Sequence, residues 1–110
     1  MIPLTRHKQL LYEFSTCIEK REYYTAHEKL EEIWYPHRFE HNNEMKLLKG
    51  FINAAVSFEL IKRGRHTSSK VAWKNYLKYR PLLYKVHSPF LNEYHKLARE
   101  LEQLKYHKNI

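Results

Sequence analysis

Length, composition and charge already exclude several classes of protein. The chain has 110 residues, which suits one domain with its own core, and its two glycines and four prolines are too few turn residues for an all-β sandwich. The net charge of +8 comes mainly from residues 60–92, which hold eight Lys or Arg and no Asp or Glu. The sequence therefore predicts an all-α domain over residues 1–110, with a basic part able to attract polyanions.

The single cysteine and the N-terminal residues bear on the cellular compartment. Cys17 lies on an apolar helical face and has no partner in the chain, so we expect a buried thiol and no intrachain disulfide. The first residues contain no apolar signal core, and no apolar run approaches the length that spans a membrane. We therefore expect a cytoplasmic protein with no membrane association. We also expect no cofactor.

Five helices are predicted from apolar residues that recur at helical spacing. The first runs from about Pro3 to Lys20 and ends in a break without Gly or Pro. The second covers Tyr23–Trp34, and Pro36 should end or kink it because proline removes a backbone donor. We expect Asn42 or Asn43 to cap the third helix, since a side-chain amide oxygen can accept a hydrogen bond from its first turn.

The third helix, from about Glu44 to Arg63, is the most apolar and is predicted to be the central one. Gly64 should stop it, because glycine readily takes the left-handed conformation found after helix ends. The fourth helix is predicted to open near Thr67–Ser68, which can cap it. Pro81 must then kink this helix or divide it.

Ser88 and Pro89 predict the start of the fifth helix, which runs to about Tyr106. Short links between five helices favour mostly antiparallel neighbours in one compact bundle. In that bundle the second helix should pack the face that carries Trp34 against the third helix. The fold class predicted from the sequence is therefore an all-α bundle of about five helices.

The second helix carries a His-Glu-x-x-Glu sequence formed by His27, Glu28 and Glu31. His27 and Glu31 lie one turn apart at the border of the apolar face, whereas Glu28 points away. Two ligands are too few for a catalytic zinc site, and a third would have to come from Glu59, His95 or another distant residue. Three interpretations stay open: a structural hydrogen-bonded network, a ligand-binding cleft, and a metal or acid/base site.

Two charged residues fall on inward-facing positions of their helices. Glu59 projects beside apolar residues of the third helix, and Arg80 falls on the inner side of the fourth. A charge placed there needs a partner, because burying it alone is costly. We expect Arg80 to reach inward to a carboxylate such as Glu28, Glu31 or Glu59.

Four lysines of the fourth helix are predicted to form a basic stripe. Lys70, Lys74, Lys78 and Lys85 fall within about 80° of one another on its outer side, at 100° per residue. Together with nearby aromatic residues such a stripe could bind the phosphates and bases of single-stranded nucleic acid. Most of those aromatic residues lie on the inner face, so a core with a solvated lysine face is the simpler interpretation.

Two segments in order resemble the domain of unknown function 309 family. Residues 22–34 are similar to its Tyr-Phe-Glu-Ala-His-Glu-x-Leu-Glu-x-x-Trp segment, and residues 48–58 to its Gln-Gly-Leu-Ile-Gln-x-Ala segment, followed by Lys62-Arg63-Gly64. The resemblance covers roughly Phe14 to Tyr84 and implies a small all-helical bacterial or archaeal protein without an established activity. The positions that match the family's characteristic residues are Tyr24, His27, Glu28, Glu31, Trp34 and Gly50.

The sequence also departs from the family's pattern at several positions. Arg21 stands where the family often has Gly, and Lys49 and Asn53 stand where Gln is common. Arg65-His66 replaces the Gly-Asn type of turn. The two replaced glutamines leave open whether a polar site around the third helix is shared with the family.

The first function expected is a non-enzymatic binding or interaction module for a small molecule or a protein partner. The alternatives are a metal-assisted or acid/base hydrolase that uses His27, Glu28 and Glu31, and nucleic-acid binding through the four lysines. Whether the protein forms a homo-oligomer is left open. The residues predicted for a cleft or polar network are Tyr24, His27, Glu28, Glu31, Trp34, Gly50, Asn53 and Glu59.

Overall fold

Helices account for most of residues 4–107, which are the part of the chain that the computed structural model describes. The order is α1 Leu4–Glu19, α2 Tyr23–Trp34, a 3₁₀ helix Tyr35–His37, α3 Asn43–Lys62, α4 His66–Tyr79, a second 3₁₀ helix Arg80–Tyr84, and α5 Leu91–His107. The predicted all-α fold with five main helices is confirmed. The predicted start of the first helix at Pro3 lies outside the described residues.

Several helix ends follow from the residues predicted to form them. The Asn42 side chain accepts a hydrogen bond of 2.9 Å from the Met45 N–H and so caps α3. Gly64 ends α3 with a positive φ of 76°. Pro81 divides the predicted fourth helix, because the chain continues after Tyr79 as a 3₁₀ helix.

The predicted cap of α4 by Thr67 or Ser68 is wrong. The Arg65 N–H donates to the Leu60 carbonyl over 2.8 Å, which folds the chain back at once, and α4 begins already at His66. Arg65 holds the N-cap position and makes no side-chain capping bond. This helix start is thus fixed by the end of α3 and not by a capping side chain.

Helix α3 is central, as predicted from its apolar sequence. Leu47, Leu48, Phe51, Ala54 and Phe58 are each fully buried along it. At Gly50, α4 comes so close that an added Cβ would lie 2.9 Å from the Cβ of Tyr79. These contacts place α3 between its neighbours, and Trp34 of α2 packs partly buried against the same core.

Helices α1 and α5, which are not consecutive in the chain, run parallel to each other. His7 near the start of α1 stacks on Phe90 and bonds to Tyr94 near the start of α5, while Ser15 farther along α1 bonds to Glu100 farther along α5. The residue numbers of the contacts therefore rise together along both helices, which means that the two helices point in the same direction. Within residues 4–107, no helix is long and apolar enough to cross a membrane.

The turn between α1 and α2 holds Arg21 in the left-handed region, with a φ of 60°. This conformation costs a residue with a Cβ roughly 1 kcal/mol, and glycine adopts it freely. We expect Arg21→Gly to raise the free energy of unfolding by about 0.5–1 kcal/mol, measured by urea denaturation. The opposite change, Gly64→Ala at its φ of 76°, should lower it by about 1 kcal/mol. A lower stability of Arg21→Gly would contradict this account of the turn.

Candidate functional site

The predicted pair on α2 forms and lies at the protein surface. His27 Nε2 is 2.7 Å from Glu31 Oε1, and the side chains keep 17% and 40% of their exposure. His27 Nδ1 contacts the carbonyl oxygen of Tyr24, whose ring meets the imidazole edge-on at 4.7 Å. The Glu31 carboxylate and the Tyr24 carbonyl thus hold the imidazole from both of its nitrogens.

A shallow groove of about 180 Å³ lies between α2 and α3, beside this pair. Its α3 side carries a second ion pair, in which Arg63 Nε lies 2.7 Å from Glu59 Oε2. Glu59 therefore has the kind of partner that was expected for a carboxylate beside apolar residues. The residues that line the groove are Tyr23, Tyr24, His27, Val56, Glu59, Leu60 and Arg63.

The floor and the rim of the groove differ in polarity. Val56 and Leu60 are apolar and half-buried, and buried Tyr23 packs its ring 5.4 Å from Phe58 below them. Burial raises the pKa of the Tyr23 hydroxyl, with a smaller opposing effect from Arg21, so this ring stays neutral at ordinary pH. The groove thus offers an apolar floor between two charged pairs.

The eight residues predicted for a cleft do not form one site. Tyr24, His27 and Glu59 line the groove, and Glu31 joins it through His27. Glu28 is exposed and does not line the groove. The other three residues contact different neighbours.

Trp34, Gly50 and Asn53 belong to other contacts. The Lys49 ammonium lies 6.0 Å from the centre of the half-buried Trp34 ring, and Gly50 packs against Tyr79 of α4. Asn53 Nδ2 donates to the Lys49 carbonyl over 2.8 Å. Trp34 and Gly50 thus lie in contacts between helices, whereas the Asn53 bond stays within α3, and none of the three residues lines the groove.

The described residues 4–107 contain no group of three or more His, Cys, Asp or Glu side chains arranged to hold a metal ion. The distant residues proposed as a third ligand are engaged elsewhere. Glu59 is bonded to Arg63, and His95 packs edge-on against Tyr84 at 6.0 Å. Among the described residues, His27 and Glu31 are therefore not part of a larger set of metal ligands.

The basic stripe is shorter than predicted. Lys70, Lys74 and Lys78 are exposed along α4, and none has a carboxylate oxygen within 4.0 Å among the described residues. Lys85 does not continue the stripe on this helix, because it follows the 3₁₀ helix and lines a separate groove with Glu44. Pro81 is the physical reason, since it ends the helical register that the four lysines were predicted to share.

Arg80 pairs with a different carboxylate from those predicted. Its Nε lies 2.5 Å from Glu102 Oε2, and the Tyr76 hydroxyl donates to the same oxygen over 2.5 Å. Burial and this bond raise the pKa of Tyr76, and the bond to Glu102 raises the pKa of Arg80. The expectation of Glu28, Glu31 or Glu59 as partner is wrong, because Glu102 of α5 lies beside this end of α4 and Glu59 is paired with Arg63.

A second polar network joins α1, α3 and α5 and was not predicted. The Tyr94 hydroxyl donates to Glu44 Oε2, and the Ser88 hydroxyl donates to the same oxygen over 2.7 Å. Because the Tyr94 proton points to Glu44, the tyrosine oxygen accepts from His7 Nε2–H over 3.0 Å. His7 also stacks flat on Phe90 with ring centres 4.0 Å apart. The network therefore joins the N-terminal ends of α1, α3 and α5.

One sequence signal could have found this network. His7 falls at helical spacing with Leu10, Leu11 and Phe14, so its burial follows from the same periodicity that buries them. A buried imidazole needs a hydrogen-bond partner. The identity of that partner, Tyr94, depends on α1 and α5 lying side by side and has no counterpart in local spacing.

The geometry and fold define a small helical-bundle protein with a candidate binding groove. The chain belongs to the family described as a domain of unknown function (DUF309), whose model matches residues 11–71, more than half of the chain. This match confirms the resemblance seen in the sequence. The matched span contains α2 and α3 entirely, and therefore all the residues that line the groove. No curated protein matches the chain, and no solved structure matches it either.

Buried His7 makes stability depend on pH. Burial lowers its pKa, more than nearby Glu44 raises it, and His37 lowers it further. The unfolded chain therefore binds a proton first as pH falls below about 6.5, and the stabilisation present above that pH is lost toward the lower folded pKa. We expect His7→Gln, which keeps an N–H donor, to reduce the slope of unfolding free energy against pH below about 6.5.

The matched control for this prediction is His66→Gln, because His66 is exposed at the start of α4. It should leave the slope as in the parent. Urea denaturation at a series of pH values gives both slopes. Equal slopes for His7→Gln and the parent would show that another group carries the acid sensitivity.

Proposed function

We propose that the protein is a non-enzymatic binding module whose site is the groove between α2 and α3. One observation carries this proposal: an apolar floor formed by Val56 and Leu60 lies between the ion pairs His27–Glu31 and Glu59–Arg63. Apolar lining with a few fixed polar groups is typical of ligand sites.

The volume of the groove limits what it can hold. Its volume of about 180 Å³ is below the range of about 300–1,000 Å³ that is common for drug-sized ligands. It suits one small apolar group, which is either a free small molecule or a single side chain presented by a partner protein. The groove is open on one side, so a partner could reach it without rearranging α2 or α3.

The polar rim favours an acidic group next to the apolar one. Arg63 donates to Glu59 through Nε, and its side chain is exposed, so the terminal nitrogens of the guanidinium are proposed as the donors to a ligand. A guanidinium binds a carboxylate well because its planar donors match two oxygens. The ligand chemistry proposed is thus an apolar group that carries a carboxylate.

Binding is preferred to catalysis for a reason that concerns His27. Its two ring nitrogens contact Glu31 and the Tyr24 carbonyl, so neither is directed at the groove as a free base. The hydrolase that uses His27, Glu28 and Glu31 would also need Glu28, which does not line the groove. Measurable hydrolysis that is lost in His27→Gln would favour that alternative over the binding module.

The groove can be tested by titration of isotope-labelled protein with small apolar carboxylates such as hexanoate and phenylacetate. We expect NMR shifts at the backbone amides of Val56 and Leu60, and weaker shifts with the corresponding neutral amides. Arg63→Gln should weaken binding roughly two- to fivefold, because an exposed charge pair contributes up to about 1 kcal/mol.

The control for the groove is Arg65→Gln, which removes an exposed charge nearby that does not line the groove. It should leave the affinity within about twofold. A short peptide with a C-terminal Phe tests the protein-partner source of the same chemistry. The absence of shifts at Val56 and Leu60 with every probe would refute the groove as the site.

A second candidate function is polyanion binding by the outer face of α4. The observation that favours it is three exposed lysines one turn apart, Lys70, Lys74 and Lys78, that are not neutralised by carboxylates among residues 4–107. Four residues of helix rise about 6 Å, so the three ammonium groups can follow successive phosphates of one strand.

We expect a labelled single-stranded oligonucleotide to bind at low salt and to dissociate as salt rises, measured by fluorescence anisotropy. Replacing Lys70, Lys74 and Lys78 by Gln should lower the slope of log K against log salt by about 2, since each phosphate contact on a single strand contributes about 0.7. Equal slopes in parent and triple variant would refute this function.

The matched control for the lysine stripe is a triple variant with the same loss of charge. Lys20, Lys46 and Arg99 are exposed outside α4 and can be replaced by Gln together. A slope that falls equally in both triple variants would mean a general charge effect without a site on α4.

A further inference from the structure

A cavity separate from the groove lies between the end of α1, the turn that follows it, and α5. Its volume is about 370 Å³, against about 180 Å³ for the groove between α2 and α3. A volume of this size is within the range of about 300–1,000 Å³ that is common for small-molecule sites. The residues that line the cavity are Ile18, Glu19, Arg21, Glu100, Gln103 and Leu104.

The two helices give this cavity a small apolar wall. Glu100, Gln103 and Leu104 lie three and four positions apart on α5, so they share one face of that helix. Leu104 is half-buried against the core, and Ile18 on the α1 side is buried. The apolar part of the wall thus consists of two aliphatic side chains, which suits one apolar group of a ligand.

The rest of the wall carries charges of both signs that do not neutralise one another. Among residues 4–107, Arg21 has no carboxylate oxygen within 4.0 Å, and Glu19 has no Lys, Arg or His nitrogen within that distance. Glu100 accepts from the Ser15 hydroxyl over 2.5 Å through Oε2, which fixes its carboxylate in the wall. Its Oε1 is 4.0 Å from Lys96 Nζ, which is beyond hydrogen-bond distance.

Arg21 occupies its place in this wall at a cost to stability. Its N–H donates to the Ile18 carbonyl over 3.1 Å, and the Glu22 N–H donates to the Cys17 carbonyl over 2.9 Å. These two bonds form a Schellman motif, in which the residue with the positive φ, here 60°, is usually glycine. Strained backbone is concentrated at functional sites, so this turn supports a role for the Arg21 guanidinium in the cavity.

We propose that this cavity binds a free α-amino acid with an aliphatic side chain, such as leucine, in its zwitterionic form. Arg21 binds the carboxylate, because the planar donors of a guanidinium match two oxygens. Glu19 and Glu100 bind the ammonium group. Ile18 and Leu104 contact the aliphatic side chain of the ligand.

The arrangement of charges favours a zwitterion over a ligand with one charge. A simple carboxylate that reaches Arg21 also meets the two glutamates, and like charges repel. A simple amine that reaches the glutamates meets Arg21 in the same way. A ligand that carries both charges offers each of these side chains a partner of opposite sign.

The site can be tested by NMR titration of isotope-labelled protein with L-leucine up to about 20 mM, because we expect a dissociation constant in the millimolar range for a small ligand in an open site. We expect shifts at the backbone amides of Arg21, Gln103 and Leu104, and none at Val56 and Leu60 in the groove. The absence of shifts at the first three amides would overturn the proposal, whatever happens in the groove.

Three analogues of leucine each remove one recognised group. N-acetylleucine lacks the ammonium group and leucinamide lacks the carboxylate, so each should bind roughly two- to fivefold more weakly than leucine. Glycine should also bind more weakly, because it has no side chain to contact the apolar wall. N-acetylleucine or leucinamide binding as tightly as leucine would show that the cavity does not recognise a zwitterion.

Replacement of Arg21 separates binding from stability. Arg21→Gly should weaken leucine binding roughly two- to fivefold, although it is expected to stabilise the turn. Arg21→Gln, which keeps the Cβ, should weaken leucine binding equally, and both variants should bind leucinamide within about twofold of the parent. The control Lys20→Gln removes a neighbouring exposed charge that does not line the cavity and should leave the affinity for leucine unchanged. Equal weakening of leucine and leucinamide would refute the proposed role of the guanidinium.

The glutamates test the other end of the ligand. Glu100→Gln keeps an oxygen to accept from Ser15, and should weaken leucine binding roughly two- to fivefold while leaving N-acetylleucine within about twofold. Glu19→Gln should act in the same direction at an exposed position. The control Glu93→Gln removes a carboxylate of α5 that does not line this cavity and should have no effect. Unchanged leucine affinity in both Glu100→Gln and Glu19→Gln would contradict the assignment of the ammonium site.

Discussion

The burial of α3 on most of its circumference is the constraint on which the rest of the molecule depends. A helix in this position can carry a polar side chain only where that side chain reaches water or finds a hydrogen-bond partner. Glu44 at its start accepts from Ser88 and Tyr94, Glu59 near its end pairs with Arg63, and Ser57 bonds to a carbonyl of its own helix. Among the described residues, no buried side-chain nitrogen or oxygen lacks a partner.

This constraint also decides where binding can occur. The face of α3 that packs on α4 leaves no space for a ligand at Gly50, because the two helices approach too closely there to admit a side chain. An opening remains where α3 meets the edge of α2, and the groove at Val56 and Leu60 lies there. The ion pairs His27–Glu31 and Glu59–Arg63 then keep the charged ends of long side chains at the rim, in contact with water.

Sequence patterns predicted what is local and missed what joins distant segments. Asn42 and Gly64 act within one turn of their own helix ends, so residue type was enough to assign them. Arg80 was correctly predicted to need a carboxylate, but the choice of Glu102 depends on which helix lies beside α4. The His7 network was not predicted, because its members come from three helices that are brought together only by the fold. The groove itself was only partly predicted, since helical spacing identifies faces and not the gaps between them.

The two candidate binding surfaces use different helices, and this separation has a consequence for binding. The groove belongs to α2 and α3, whereas the lysine stripe belongs to the outer face of α4. A ligand bound at one surface therefore leaves the other open. A ligand that reaches both surfaces at once would bind more tightly than either surface alone allows, because its second contact is intramolecular.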